Sequence, residues 1–86
     1  MTTAEILQTI PPREKEIVGL LLEGCSTKEM AGRLGIQQRT VKSYLNKLFI
    51  KFGVSSGIKR VKLASMLYRE IKQIEEKEEL KDDKNT

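Results

Sequence analysis

The fold turns on one stretch, Ser26-Thr27-Lys28-Glu29-Met30-Ala31-Gly32-Arg33-Leu34-Gly35-Ile36-Gln37-Gln38-Arg39-Thr40-Val41-Lys42-Ser43-Tyr44-Leu45. Ser26 and Glu29 have the spacing of a capping box, which starts a helix by satisfying its first free amides. Met30, Ala31 and Leu34 give that helix a buried side, and Gly35 closes it. A second helix, about 38–51, follows Ile36 and Gln37 and ends at Gly53. Small Ala31 lets the two helices approach. Gly35 sits where the turn needs positive φ and leaves little room for a β-carbon. Met30, Leu34, Ile36 and Val41 recur where such a pair buries its shared seam. These features in register read as a helix-turn-helix, because each is a separate steric demand of the same motif.

The second helix divides into two faces. At about 100° per residue, Val41, Leu45, Leu48 and Phe52 form one apolar stripe, flanked by Tyr44 and Phe49. Arg39, Lys42, Ser43 and Asn46 fall opposite, in a face without a single acid. An ordinary amphipathic helix also shows Lys, Ser and Asn to solvent. Behind a helix-turn-helix, however, this face has the chemistry of a groove reader. Lysine reaches guanine acceptors, asparagine pairs with adenine, and hydroxyls serve bases or phosphates.

Outward toward the N-terminus, Thr2 and Glu5 can cap a short helix or arm over residues 1–10, carrying Ile6, Leu7 and Ile10. Pro11-Pro12 stops it and starts another helix, with Glu14 and Glu16 in its positive first turn and Ile17, Leu20 and Leu21 as its apolar face. Gly24 ends that helix. Toward the C-terminus, Ser55 or Ser56 can cap a last helix from about Ile58 past Ile71. The domain therefore spans 11–74, and its last helix extends into a charged tail, 75–86, that is expected to fray. Ile58, Val61, Ala64 and Tyr68 make one apolar stripe of the last helix, and Leu63, Leu67, Ile71 and Ile74 an adjacent one. Together they cover about half the helix, more than one small core requires. One stripe is expected to dock on the domain and the other on a two-fold mate. Leu63, Leu67, Ile71 and Ile74 are assigned to the dimer seam.

Charge is distributed unevenly along the 86 residues. Gly24–Arg69 holds ten basic residues against one acid, Glu29, whereas 70–86 holds seven acids against four lysines. A basic centre points to a polyanionic partner. The chain has no histidine, no metal-ligand spacing and no phosphate-cradling glycine loop, which argues against an enzyme. No cofactor, metal or small-molecule ligand is expected. Lone Cys25 cannot form an internal disulfide, no apolar run is long enough to span a bilayer, and no signal peptide is visible. A cytoplasmic location is the resulting expectation.

Several runs carry a family resemblance: Arg13-Glu14-Lys15-Glu16-Ile17, Glu23-Gly24, Ser26 to Ala31, Leu34-Gly35-Ile36, Thr40-Val41-Lys42 and Lys51-Phe52-Gly53-Val54. Over about residues 10–68 they resemble the LuxR/GerE-type helix-turn-helix, also the effector domain of NarL/FixJ response regulators. The resemblance implies an all-α, four-helix domain whose third helix reads the major groove of double-stranded DNA and whose fourth forms a homodimer. It places Lys42, Ser43 and Asn46 at base-contacting positions. Thr40, Tyr44 and Lys47 match phosphate-contacting places, Lys28 lies near the phosphate-facing start of the second helix, and Arg39 is grouped with them. A transcription regulator is implied, with RNA polymerase as a further partner. Met1 and the charged tail favour a stand-alone regulator over an excised effector domain. A helix-turn-helix that contacts protein instead of DNA is the alternative. The chain departs from the family pattern at Pro11, Gln37, Tyr44, Ile50 and Gly57. The first two predict weaker helix starts, by about 1 kcal/mol each at most. Ile50 and Gly57 bear on flanking phosphate contacts and on the docking of the fourth helix.

Overall fold

Five helices follow one another, with no strand among the described residues: α1 (Thr3–Thr9), α2 (Pro12–Leu22), α3 (Thr27–Leu34), α4 (Gln38–Lys51) and α5 (Lys59–Asn85). The computed structural model describes residues 2–85, with side chains through Glu75 apart from Ile74. α1 is the short extra N-terminal helix, and the other four make the domain read from the sequence.

Helix starts follow their local chemistry. The Thr2 hydroxyl accepts from the Glu5 amide at 3.2 Å and donates to the Glu5 carboxylate at 3.1 Å. At α3 the capping box is complete. The Glu29 amide donates to Ser26 Oγ and the Ser26 amide to Glu29 Oε1, both at 3.1 Å. The Ser26 backbone amide, then its hydroxyl, holds the Glu29 carboxyl below its ordinary pKa. α2 and α4 begin at Pro11 and Gln37 with no side-chain cap, as those departures imply. Pro12 at the first position of α2 partly compensates, since its fixed φ suits a helix start and it has no amide to satisfy.

The core is built from one face of each long helix. Ile17, Met30, Val41, Leu48, Leu63 and Leu67 are its fully buried side chains, joined by Val18, Leu20, Leu21, Leu45, Phe49, Phe52 and Val54. α3 packs on α4, α2 on both α4 and α5, and α1 on α5. Withdrawing each such aliphatic side chain from water contributes about 1.5–3 kcal/mol, so losing a single one is felt across a domain this small.

The α3–α4 turn has the expected hand. Gly35 adopts φ 66°, ψ 35°, its amide donates to the Ala31 carbonyl, and the Ile36 amide donates to the same carbonyl at 3.0 Å. Steric crowding does not contribute, because a β-carbon on Gly35 would meet nothing within 4 Å. The demand is purely conformational. Gly35→Val is therefore expected to cost about 1–2 kcal/mol, and Gly35→Asn less, since Asn tolerates the left-handed region. Urea unfolding of both variants checks this, and an unchanged midpoint for the valine variant would overturn it.

The last helix corrects two expectations. Leu63 and Leu67, assigned to a dimer seam, are both fully buried in the protomer's own core. They leave no surface for a second copy. Ile71 is half-buried, and Ile74 lies outside the described side chains. The exposed stripe is the other one: Ile58, Val61 and Tyr68 are 72%, 59% and 60% exposed, with Ala64 half-buried between them. As expected, α5 runs on into the charged tail, through 75–85. Glu and Lys make up seven of the eleven residues 75–85 and are good helix formers, which favours continuation. The expected cap at Ser55 or Ser56 is also replaced. The Ile58 carbonyl takes the first helical bond, from the Lys62 amide at 3.0 Å.

Gly57 makes the turn that leads into α5. It turns at φ 77°, and the Lys62 side chain lies over it where a β-carbon would stand. Arg60, one residue into α5, donates to the Thr27 hydroxyl and, at 3.5 Å, to the Cys25 carbonyl, tying α5 to the start of α3.

Candidate nucleic-acid interface

α4 is held to the domain by Val41, Leu45, Leu48 and Phe49, all buried. Its first turn carries no acid, and its last ends in Lys51. The opposite face is exposed at Arg39, Lys42, Ser43, Asn46, Lys47 and Ile50, so the division read from the helical period holds in three dimensions. Phe49 belongs to the anchoring side, which broadens the buried arc toward Lys42.

The structure brings the proposed base readers onto this one exposed face. Lys42, Ser43 and Asn46 project from two successive turns of α4 and are all exposed. The residues expected at phosphates are more dispersed. Arg39 and Lys47 are exposed on α4, and Lys28 is exposed on the first turn of α3. Thr40 and Tyr44 are half-buried on the flank of α4. The Arg39 Nε donates to Gln37 Oε1 at 2.9 Å, which steadies its guanidinium beside the helix start. The Lys47 ammonium stands 5.6 Å from the Tyr44 ring centroid, so the aromatic face pre-positions that charge.

Three of the ten basic residues in the central window turn out to have internal duties. Lys51 donates to both carboxylate oxygens of Glu14, at 2.7 and 2.9 Å. Glu14 is buried, and this pair is what allows it to be. Arg33 pairs with Glu23 at 3.3 Å and reaches Cys25 Sγ at 3.5 Å. Arg60 makes the α3 contacts described above. Among the described residues no carboxylate pairs with Lys28, Lys42 or Lys47. Charge counting therefore overstates what is available to a partner, but it does not empty the outer face.

Sequence reasoning missed the Glu14–Lys51 pair and the role of Arg60. Glu14 looked like an ordinary first-turn acid, and its partner lies 37 residues away. No periodicity links positions on different helices. The burial of Glu14 follows only from the way α2 crosses α4. In the sequence Ile50 is a departure from the family pattern and a feature that favours the protein-contacting alternative. It is 80% exposed, the most exposed large apolar side chain described. Beside it a shallow groove is lined by Asn46, Phe49, Gly53, Val54, Ser55 and Lys59.

Among the described residues no three His, Cys, Asp or Glu side chains are grouped to hold a metal ion. No described helix is long and apolar enough to cross a membrane.

Residues 8–67 match the bacterial regulatory proteins of the luxR family. An HTH-type transcriptional regulator of Mycobacterium bovis is 36% identical over 53 residues, which are 62% of this chain and 6% of that protein. The DNA-binding transcriptional activator DevR/DosR of Mycobacterium tuberculosis is 32% identical over 63 residues, 73% of this chain and 29% of the activator. The response regulator Rre1 of Synechocystis is 33% identical over 63 residues, 73% of this chain and 27% of the regulator. The chain thus spans less than a third of each relative's length. No solved structure matches the chain significantly.

Proposed function

The chain belongs to the luxR family of bacterial regulatory proteins, and we propose that it regulates transcription by binding duplex DNA sequence-specifically, with α4 in the major groove. One observation carries this reading: an acid-free, exposed face on α4 that is anchored from behind by a continuous apolar core. The groove is about 12 Å wide and admits one helix, and Lys42, Ser43 and Asn46 have the donors and acceptors that base edges present. Arg39, Lys47 and Lys28, with Thr40 and Tyr44 on the flank, are suited to the phosphates on either side. Such a protein acts where the DNA is, which in a bacterium is the cytoplasm.

A homodimer through α5 fits the same reading, but through the exposed stripe. Ile58, Val61 and Tyr68 lie on one side of a helix already docked by Leu63 and Leu67. Two copies related by a two-fold axis would present their α4 helices to half-sites about 10 bp apart, centre to centre.

Selection of bound duplexes from a random pool, followed by titration across salt concentrations, tests the proposal. Asn46→Ala should cost about 1–3 kcal/mol on the selected site and relax preference at one position. Lys47→Ala should weaken all duplexes alike and shallow the salt slope by about one unit. A helix-turn-helix that contacts protein, the reading that exposed Ile50 favours, would enrich no sequence and show no steep salt dependence. That result would overturn the DNA assignment.

A further inference from the structure

Asn46 is not the end of the exposed face of α4. At about 100° per residue, Ile50 lies about 20° from Ser43 and about 40° from Asn46 around the helix. It stands near the middle of the outer face, directly opposite the buried stripe of Val41, Leu45, Leu48 and Phe52. Its burial agrees: Ile50 is 80% exposed, while its neighbour Phe49 is 8% exposed and anchors the helix. Among the described residues, Ile50 is the most exposed large apolar side chain.

Its surroundings also separate it from an incidental surface isoleucine. Asn46 lies one turn before it, and the shallow groove at its side is lined by Asn46, Phe49, Gly53, Ser55 and Lys59. The Lys59 ammonium stands 5.9 Å from the Phe49 ring centroid. An apolar side chain is thus set between a hydrogen-bonding reader and a cation. Major-groove floors contain one apolar group that such a side chain can recognise, the C5 methyl of thymine. Phosphates and sugars offer an isoleucine nothing comparable.

Reach along the helix is sufficient. From Lys42 to Ile50 the rise is about 12 Å. Recognition helices that lie along the major groove use base-contacting residues over a similar span, as in homeodomains, where four positions within eight residues read bases.

We propose that Ile50 is a specificity-determining residue that reads a thymine methyl at the edge of the site contacted by Ser43 and Asn46. This rests on the reading of α4 as a major-groove helix, and extends it by one turn. Ile50 selects against cytosine by the lost methyl contact, and against a purine by the bulk of its β-branched side chain.

The experiment replaces each thymine of the selected duplex in turn by uracil, which removes only the methyl group. Binding of the wild-type protein and of Ile50→Ala is compared. For wild type, one thymine per half-site should lose about fourfold in affinity on replacement, the effect of one methyl returned to water. For Ile50→Ala that same replacement should have no effect, while all other thymines behave as in wild type. Ile50 is exposed and alanine favours helix, so the variant should keep its circular dichroism spectrum and melting temperature. Equal uracil effects in both proteins, with specific binding intact, would overturn the Ile50 assignment alone. Absence of any sequence-selective binding by wild type would overturn it together with the proposed function.

Discussion

Leu67→Lys should unfold the domain, whereas Tyr68→Lys, one position further along the same helix, should leave it folded. Leu67 is fully buried, while Tyr68 is 60% exposed. Removing a buried leucine side chain costs about 2–5 kcal/mol through lost transfer energy and the cavity left behind. Lysine adds the cost of an ammonium with no described acid beside it in the core. Small domains are stable by only about 5–15 kcal/mol, and this one stands at the lower end by its size. The loss is therefore comparable with the whole of its stability. Tyr68→Lys touches only the exposed stripe with Ile58 and Val61. Its expected effect is a folded protomer, with weaker self-association and weaker binding to inverted half-sites. Circular dichroism melts and sedimentation equilibrium on the two variants check this. A folded, monomeric Leu67→Lys protein would restore Leu63 and Leu67 to an interface and refute the packing described above.

Lys51→Met is expected to be the next most damaging change. It strands Glu14, whose side chain is 5% exposed, without the ammonium that now touches both its oxygens. Breaking a fully buried pair from one side costs about 3–5 kcal/mol. Lys51 itself is 39% exposed, so water screens part of the interaction and about 2–3 kcal/mol is the appropriate expectation. Glu14→Gln should soften the loss, because a neutral amide is less costly to bury than an unpaired carboxylate. In the double variant, Glu14→Gln with Lys51→Met, the total should fall well short of the sum of the single effects. Urea unfolding of the four proteins gives the coupling energy, and a value below about 0.5 kcal/mol would show the two sites to be independent. The pair also joins the end of α4 to the start of α2. Lys51→Met should therefore weaken duplex binding through the tilt of α4, although Lys51 is spent on Glu14 and is not counted among the phosphate contacts.

The packing of Leu63 and Leu67 and the Glu14–Lys51 pair mark the limit of what local sequence contains. The capping box of Ser26 and Glu29, the left-handed turn at Gly35 and the two faces of α4 involve residues within a few positions of one another. Helical period and backbone sterics act over that range, so each was legible directly. The uncapped starts at Pro11 and Gln37 were legible for the same reason. Family membership followed from motifs of the same local kind, combined over residues 8–67.

The last helix was different in kind. Its two apolar stripes are adjacent, and periodicity says only that both exist. Which one enters the core depends on the rotation of α5 as it leaves Gly57. That rotation is constrained by Arg60 reaching Thr27 and the Cys25 carbonyl, by the packing of α5 on α2, and by the full burial of Leu63 and Leu67. Burial of Glu14 likewise depends on Lys51 arriving from 37 residues away. The sequence by itself thus determined an all-helical domain with a basic outer face on α4, because helix starts, turns and faces are short-range properties of the chain. Only the tertiary structure decided which side of α5 stays exposed and which lysines are taken up by internal pairs, because both depend on contacts between segments distant in the chain.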